Sequence, residues 1–234
     1  MLLMPVLLGV TAGGPSPWQG VVAGAALAAY LVSATAQTWT RSRRPTAYRA
    51  PLIVYAVLAV VLGVVLLARF PALALVGVVV VPTGVLVFRG AQPGTRRDLA
   101  NSLLQVAQAL ALVPATAYVS GAWDPQRVIT ATCIAAGYQL GTVLVVRSVL
   151  RERGNETFHA ISTGFHVLLA AAALVLLPLP LGVVAVVLAV RAALLPVAQR
   201  HMASGSTPLK PVHVGILEAV MSTAVVITAF LVRF

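Results

Sequence analysis

Two ionisable side chains stand inside apolar runs: Arg191 follows Val-Val-Leu-Ala-Val, and Glu218 follows Val-Gly-Ile-Leu. A charge in hydrocarbon costs roughly 2.5–3.5 kcal/mol on insertion scales, so neither is expected to face lipid alone. Both fall about two turns from the same end of consecutive antiparallel helices, which predicts an ion pair. The alternative for Arg191 is snorkelling to the headgroups. Asn101, Gln105 and Gln108 follow i, i+4, i+7 spacing and share a helix face, suited to lining a cavity or to joining two helices by hydrogen bonds. Gln139 and His166 are further polar groups in apolar surroundings, the histidine serving as a ligand group or in one interhelical hydrogen bond. Arg147 and Glu152 lie where an apolar run gives way to charge. Asn101, Gln105, Gln108, Gln139, Arg147, Glu152, His166, Arg191 and Glu218 are the expected lining of a polar, cytoplasm-facing cavity. The sequence assigns no catalytic residue among them.

Metal chemistry has little to draw on. The chain has five acidic residues and one cysteine, Cys133, in an apolar stretch. It shows no Cys/His cluster and no glycine-rich phosphate loop, so no metal site and no cofactor is expected. Arg43, Arg44, Arg147, Arg151 and Arg153 have the fork geometry to clamp a phosphate. They equally suit solvated loops.

The elements that must position these groups follow from composition. At 60% hydrophobic and 9% charged, the chain has the composition of a membrane protein. Nine apolar stretches, at about 1–12, 18–38, 50–68, 72–88, 98–119, 127–146, 159–177, 181–198 and 211–232, predict nine helices. Most have the roughly 20 residues needed to cross about 30 Å of hydrocarbon, where only a helix satisfies the backbone. The Leu-Pro-Leu-Pro at 177–180 predicts either a tight hairpin or a kinked re-entrant pair. Pro82, Pro114 and Pro196 are expected to kink their helices. Gly20-x-x-x-Gly24 and Gly137-x-x-x-Gly141 would permit close helix contact.

Sidedness comes from the arginines. The gaps at 41–49, 89–97, 147–158 and 199–210 hold twelve of the sixteen basic residues, while the intervening gaps hold almost none. Short basic loops stay in the cytoplasm, which predicts a cytoplasmic N-terminus and an extracytoplasmic C-terminus. The net charge of +11 is then topology signal facing anionic headgroups rather than a nucleic-acid surface. Fifteen Arg against one Lys point to a GC-rich bacterial genome, and so to the bacterial inner membrane.

Met-Leu-Leu-Met-Pro-Val-Leu-Leu-Gly (1–9), the run Val-Val-Arg-Ser-Val-Leu-Arg-Glu-Arg-Gly-Asn (145–155) and Phe165-His166 resemble the YwiC-like family of bacterial membrane proteins. Members of that family usually carry Arg-Glu-His-Gly-Ala-Trp just before the equivalent of Met1. The resemblance thus implies an upstream start and a longer first helix. More distantly, nine helices, an inside N-terminus and basic loops after the second and sixth resemble the UbiA superfamily of intramembrane prenyltransferases. That likeness implies a UbiA-like architecture. Its members hold Mg²⁺ between two aspartate-rich motifs and a diphosphate. Here 37–49 contains no Asp or Glu, and the second motif falls on Arg147-Ser148, Glu152 and Gly154 with one aspartate replaced by Ser148. Mg²⁺ is therefore expected only if the chain is a divergent transferase, using Glu152, Glu156 and arginines.

The sequence thus predicts an all-α, polytopic transmembrane bundle of about nine helices in a single domain. Its expected partners are membrane lipids and an isoprenoid-like or other amphipathic ligand, without nucleic acid. A divergent prenyl or lipid transferase and a small-solute transporter gated by Arg191–Glu218 are the alternatives.

Overall fold

The computed structural model describes residues 2–42, 45–90, 99–204 and 209–232, and among them every regular element is helical. The helices are α1 (Leu3–Gly13), α2 (Pro17–Arg41), α3 (Arg49–Arg69), α4 (Ala74–Gly90), α5 (Leu99–Leu110), α6 (Leu112–Tyr118), α7 (Pro125–Leu150), α8 (Glu156–Leu176), α9 (Leu179–Ser204) and α10 (Pro211–Val232). Among the described residues, eight stretches are long and apolar enough to cross a membrane, α5 and α6 together making one of them. The first apolar stretch forms a helix of 11 residues, short of the roughly 20 that a crossing needs.

Helix ends carry local signals that hydropathy does not report. The α2 start is a capping arrangement: Pro17 occupies the first turn, and the Ser16 N–H donates to Gln19 Oε1 at 2.9 Å. At the head of α7, Asp124 Oδ1 accepts from the N–H groups of Gln126 and Arg127 at 3.0 and 3.3 Å, with Pro125 leading the helix. Asn155 caps α8, its Oδ1 accepting from Phe158 N–H at 3.0 Å. Gly154 precedes it at φ +78°, a left-handed conformation that suits glycine at the end of α7.

Of the three prolines expected to bend helices, Pro114 marks the boundary between α5 and α6. It has no N–H for the Leu110 carbonyl, and the helix breaks at Ala111. Pro82 and Pro196 are carried inside α4 and α9, which stay continuous by hydrogen bonding. Between α8 and α9 the chain makes the tight hairpin. The Leu181 and Gly182 N–H groups both donate to the Pro178 carbonyl, at 2.9 and 3.3 Å.

The helices gather into two compact units, Met1–Ala135 and Ala136–Phe234, the division falling within α7. In the first unit α1 packs on α6, α2 on α3 and α4 on α5. Its core holds Val22, Leu66, Ala115 and Val119, flanked by Trp18 and Phe70. A chain of edge-to-face rings, Trp18–Phe70–Tyr118–Trp123, ties together the ends of α2, α3 and α6 with centroids 5.4, 6.0 and 6.1 Å apart. Trp and Tyr favour the membrane–water boundary, and this cluster lies at the arginine-poor end of those helices. The second unit holds the C-terminal half of α7, the α8–α9 hairpin, and α10 packed on α9. Val145, Val149, Ala192 and Val214 form one of its cores.

The outer faces settle the solvent. Leu75, Val78, Leu168, Val175 and Leu231 are each 70–81% exposed, and α3 turns Ile53, Val57, Val60 and Val64 outward. Water would penalise such surfaces; lipid tails do not.

Candidate functional site

In the second unit, side chains of α7 and α9 converge on a carboxylate of α10, and a buried histidine of α8 packs on the same α7 helix. Tyr138 sits at the midpoint of α7, His166 of α8 and Arg191 of α9, with Glu218 in the first half of α10. The ion pair expected from the sequence is present: Arg191 Nη1 donates to Glu218 Oε1 at 2.6 Å, with side chains 5% and 13% exposed. The other carboxylate oxygen, Oε2, accepts from Thr142 Oγ1 at 2.9 Å and lies 3.2 Å from the Tyr138 hydroxyl. That hydroxyl also donates to the Glu218 backbone carbonyl at 2.8 Å. Arg191 Nε and Nη2 are buried and find no acceptor among the described residues.

The α7 helix serves two neighbours with two faces. Tyr138 and Thr142, one turn apart, face Glu218. Gly137 and Gly141, also one turn apart, face α8. A Cβ at Gly141 would stand 2.6 Å from His166 Nε2, and one at Gly137 2.6 Å from Leu169 Cδ1. The small residues of this Gly-x-x-x-Gly therefore make room for the imidazole. His166 Nδ1 lies 2.7 Å from the Ser162 carbonyl. A carbonyl only accepts, so Nδ1 carries the proton and Nε2 is turned to the α7 backbone. The ring is 1% exposed and within electrostatic range of both Arg191 and Glu218. By contrast, Gly20-x-x-x-Gly24 holds no close contact: nothing approaches a Cβ at Gly20, and Leu62 lies 3.4 Å from one at Gly24.

This geometry predicts a specific epistasis. Gly141→Ala should destabilise the protein by about 1–3 kcal/mol, the usual cost of overpacking. In a His166→Ala background the same change should lose that cost, because the ring supplies every close contact. Detergent-induced unfolding of the four variants measures both.

The nine residues expected to line a cavity do not gather into one site within either unit. His166, Arg191 and Glu218 meet as described. Gln139 is 1% exposed, and neither end of its amide finds a partner among the described residues. Arg147 pairs with Glu152 at 3.3 Å at the end of α7, and Glu156 pairs with Arg200 at 2.8 Å. Asn101, Gln105 and Gln108 belong to the first unit and do not act as one stripe. Asn101 is buried, Gln105 is exposed, and Gln108 Nε2 donates to the Val80 carbonyl of α4 at 3.3 Å. Arg43, Arg44, Arg96 and Arg97 lie outside the described residues.

Helices α7 and α9 run past their apolar stretches to Leu150 and Ser204, so Arg147 and Arg200 are helical residues rather than loop ones. Arg191 thus stands near the middle of α9. Tyr138 and Thr142 escaped the sequence reading because hydroxyls inside apolar helices carry no signal until a partner helix is in place. Among the described residues, no three of His, Cys, Asp and Glu come together as metal ligands would.

The family model described as YwiC-like protein matches residues 1–117. The chain belongs to the YwiC-like family. No curated protein and no solved structure matches it. The match covers the α1–α6 region of this YwiC-like protein, whereas the Arg191–Glu218 cluster and the 145–155 and 165–166 stretches lie outside it. Family membership and the eight membrane-length stretches among the described residues together make this an integral, multi-pass membrane protein.

Proposed function

We propose that this YwiC-like protein binds and handles an amphipathic, isoprenoid-like small molecule. Its polar head is held at the Arg191–Glu218 cluster, reached from the cytoplasmic side of the bacterial inner membrane. The observation that carries the reading is Arg191 itself: a guanidinium 5% exposed, one Nη bonded to Glu218, and its other two nitrogens without an acceptor among the described residues. An intramembrane charge is retained where it has work to do. Buried donors without partners call for an oxygen acceptor such as a carbonyl, hydroxyl or phosphate. The N-terminus is cytoplasmic and the C-terminus extracytoplasmic, as the arginine gaps require. No cofactor is needed for binding of this kind. The UbiA-like architecture rests on helix number and loop charge alone.

Mild extraction followed by mass spectrometry of what heat releases tests the proposal. The native protein should retain one amphiphile in near-stoichiometric amount. A chain carrying both Arg191→Gln and Glu218→Gln should lose it while still melting cooperatively. Release of membrane phospholipid alone, in bulk proportions, from both proteins would contradict the reading.

A transport reading draws on the same ion pair, which bridges α9 and α10 as a gate would. Saturable solute flux into proteoliposomes, abolished by the double substitution, would favour it. A divergent prenyl or lipid transferase would instead gain thermal stability from Mg²⁺ with a prenyl diphosphate, since ligands of the folded state stabilise it.

A further inference from the structure

At the arginine-rich end of the second unit, a narrow cleft of about 50 Å³ lies between the end of α7, the turn before α8 and the last turns of α9. Arg153, Asn155, His159, Gln199 and Arg200 contribute to its walls. Gln199 is 1% exposed, and its orientation is fixed because Oε1 accepts from the Leu209 N–H at 2.8 Å. The opposite end of the amide, Nε2, is a buried donor with no acceptor among the described residues.

The two arginines are held in place by their neighbours. Arg153 Nε donates to the Val149 carbonyl at 3.0 Å, which anchors the guanidinium to the end of α7 and leaves both Nη groups for other use. Arg200 Nη1 donates to Glu156 at 2.8 Å, and Nη2 lies 3.4 Å from His159 Nδ1. His159 Nε2 faces the Ala193 carbonyl at 3.1 Å, so Nε2 carries the proton and Nδ1 accepts from Arg200. Glu152 is occupied by Arg147 and by Asn155 Nδ2, at 3.3 and 3.2 Å. Arg147, Arg153 and Arg200 set against Glu152 and Glu156 leave one positive charge in excess.

We propose that this cleft binds a phosphate group, and that its source is the headgroup phosphodiester of an anionic membrane phospholipid. A buried amide donor, two positioned guanidiniums and one excess charge match a phosphodiester monoanion. The size matches as well: about 50 Å³ admits a phosphate but falls far below the ~300–1,000 Å³ of sites that enclose a small organic molecule. The remainder of the molecule must lie outside, as lipid tails would along the helices. The cleft also stands at the helix ends, where basic residues meet anionic headgroups. This site is separate from the mid-helix cluster and does not depend on what that cluster binds.

The test titrates the full-length protein in detergent with phosphatidylglycerol, phosphatidylcholine, inorganic phosphate and diphosphate, reading occupancy by native mass spectrometry and midpoint by thermal melting. Phosphatidylglycerol should fill one saturable site and raise the midpoint, and phosphatidylcholine should do so at least tenfold more weakly. Gln199→Glu keeps the acceptor for Leu209 but replaces the buried donor with a negative oxygen, and should weaken phosphatidylglycerol at least tenfold. Arg153→Gln, at an exposed position, should weaken it about threefold or more, and both variants should melt cooperatively without lipid. Equal saturable binding of inorganic phosphate or diphosphate would overturn the lipid assignment. Binding of phosphatidylglycerol unchanged by both substitutions, or no saturable response to any of the four, would overturn the site itself.

Discussion

Glu218→Gln should destabilise the protein by about 3–5 kcal/mol, the penalty for removing one partner of a buried ion pair. Gln keeps an acceptor for Thr142 and Tyr138, but Arg191 is left charged, 5% exposed and without its carboxylate. A guanidinium does not escape by losing its proton. Arg191→Gln should cost less, because the orphaned carboxylate retains the Thr142 and Tyr138 hydroxyls. The two changes together should cost clearly less than their sum, since no isolated charge remains. Unfolding by sodium dodecyl sulfate in mixed micelles measures all three. Equal and additive losses would show that the two residues do not act as a pair.

The second large effect belongs to α1. A Cβ at Gly9 would stand 2.6 Å from Thr116 Cβ and 2.7 Å from the Val113 carbonyl oxygen. At Gly13 it would stand 2.7 Å from the Ala117 carbonyl and 2.9 Å from Ala117 Cα. Backbone atoms cannot swing aside as a side-chain tip does, so α1 must leave α6 to accommodate any larger residue. Gly9→Val or Gly13→Val should each destabilise by about 3 kcal/mol, at the upper end of the overpacking range. Gly20→Ala is the control, since nothing lies within 4 Å of the added carbon. It should be neutral or stabilising by about 0.5–1 kcal/mol, through the better helix propensity of Ala. Loss of stability at Gly20 comparable to that at Gly9 would show that the α1–α6 contact does not account for the losses at Gly9 and Gly13.

These cases mark what could be read from the chain and what could not. The spans were legible because lipid demands a long apolar helix, and the structure places a helix on each of the nine stretches. Their ends were less so: the side chains of Gln19, Asp124 and Asn155 accept from backbone N–H groups at helix starts, which hydropathy does not weigh. Gln199 escaped notice for the same reason, lying just past the last apolar residue of its stretch but still within α9. The Arg191–Glu218 pair was legible because two costly charges on consecutive helices have few other ways to be satisfied. Gly9-x-x-x-Gly13 and Gly20-x-x-x-Gly24 are equivalent as patterns, yet only the first is packed. Spacing records what a helix permits, and the neighbour decides whether it is used.

Depth of the charged cluster, the phosphate cleft and the direction of ligand entry all depend on which end of the helices faces the cytoplasm. Single-cysteine labelling with a membrane-impermeant maleimide, in a Cys133→Ser background, reads this directly in intact cells. Asn155→Cys, in the turn between α7 and α8, should react only after the membrane is permeabilised, and Ala122→Cys, at the opposite end of α7, should react from outside. The reverse pattern, with position 155 labelled in sealed cells and position 122 protected, would contradict the account.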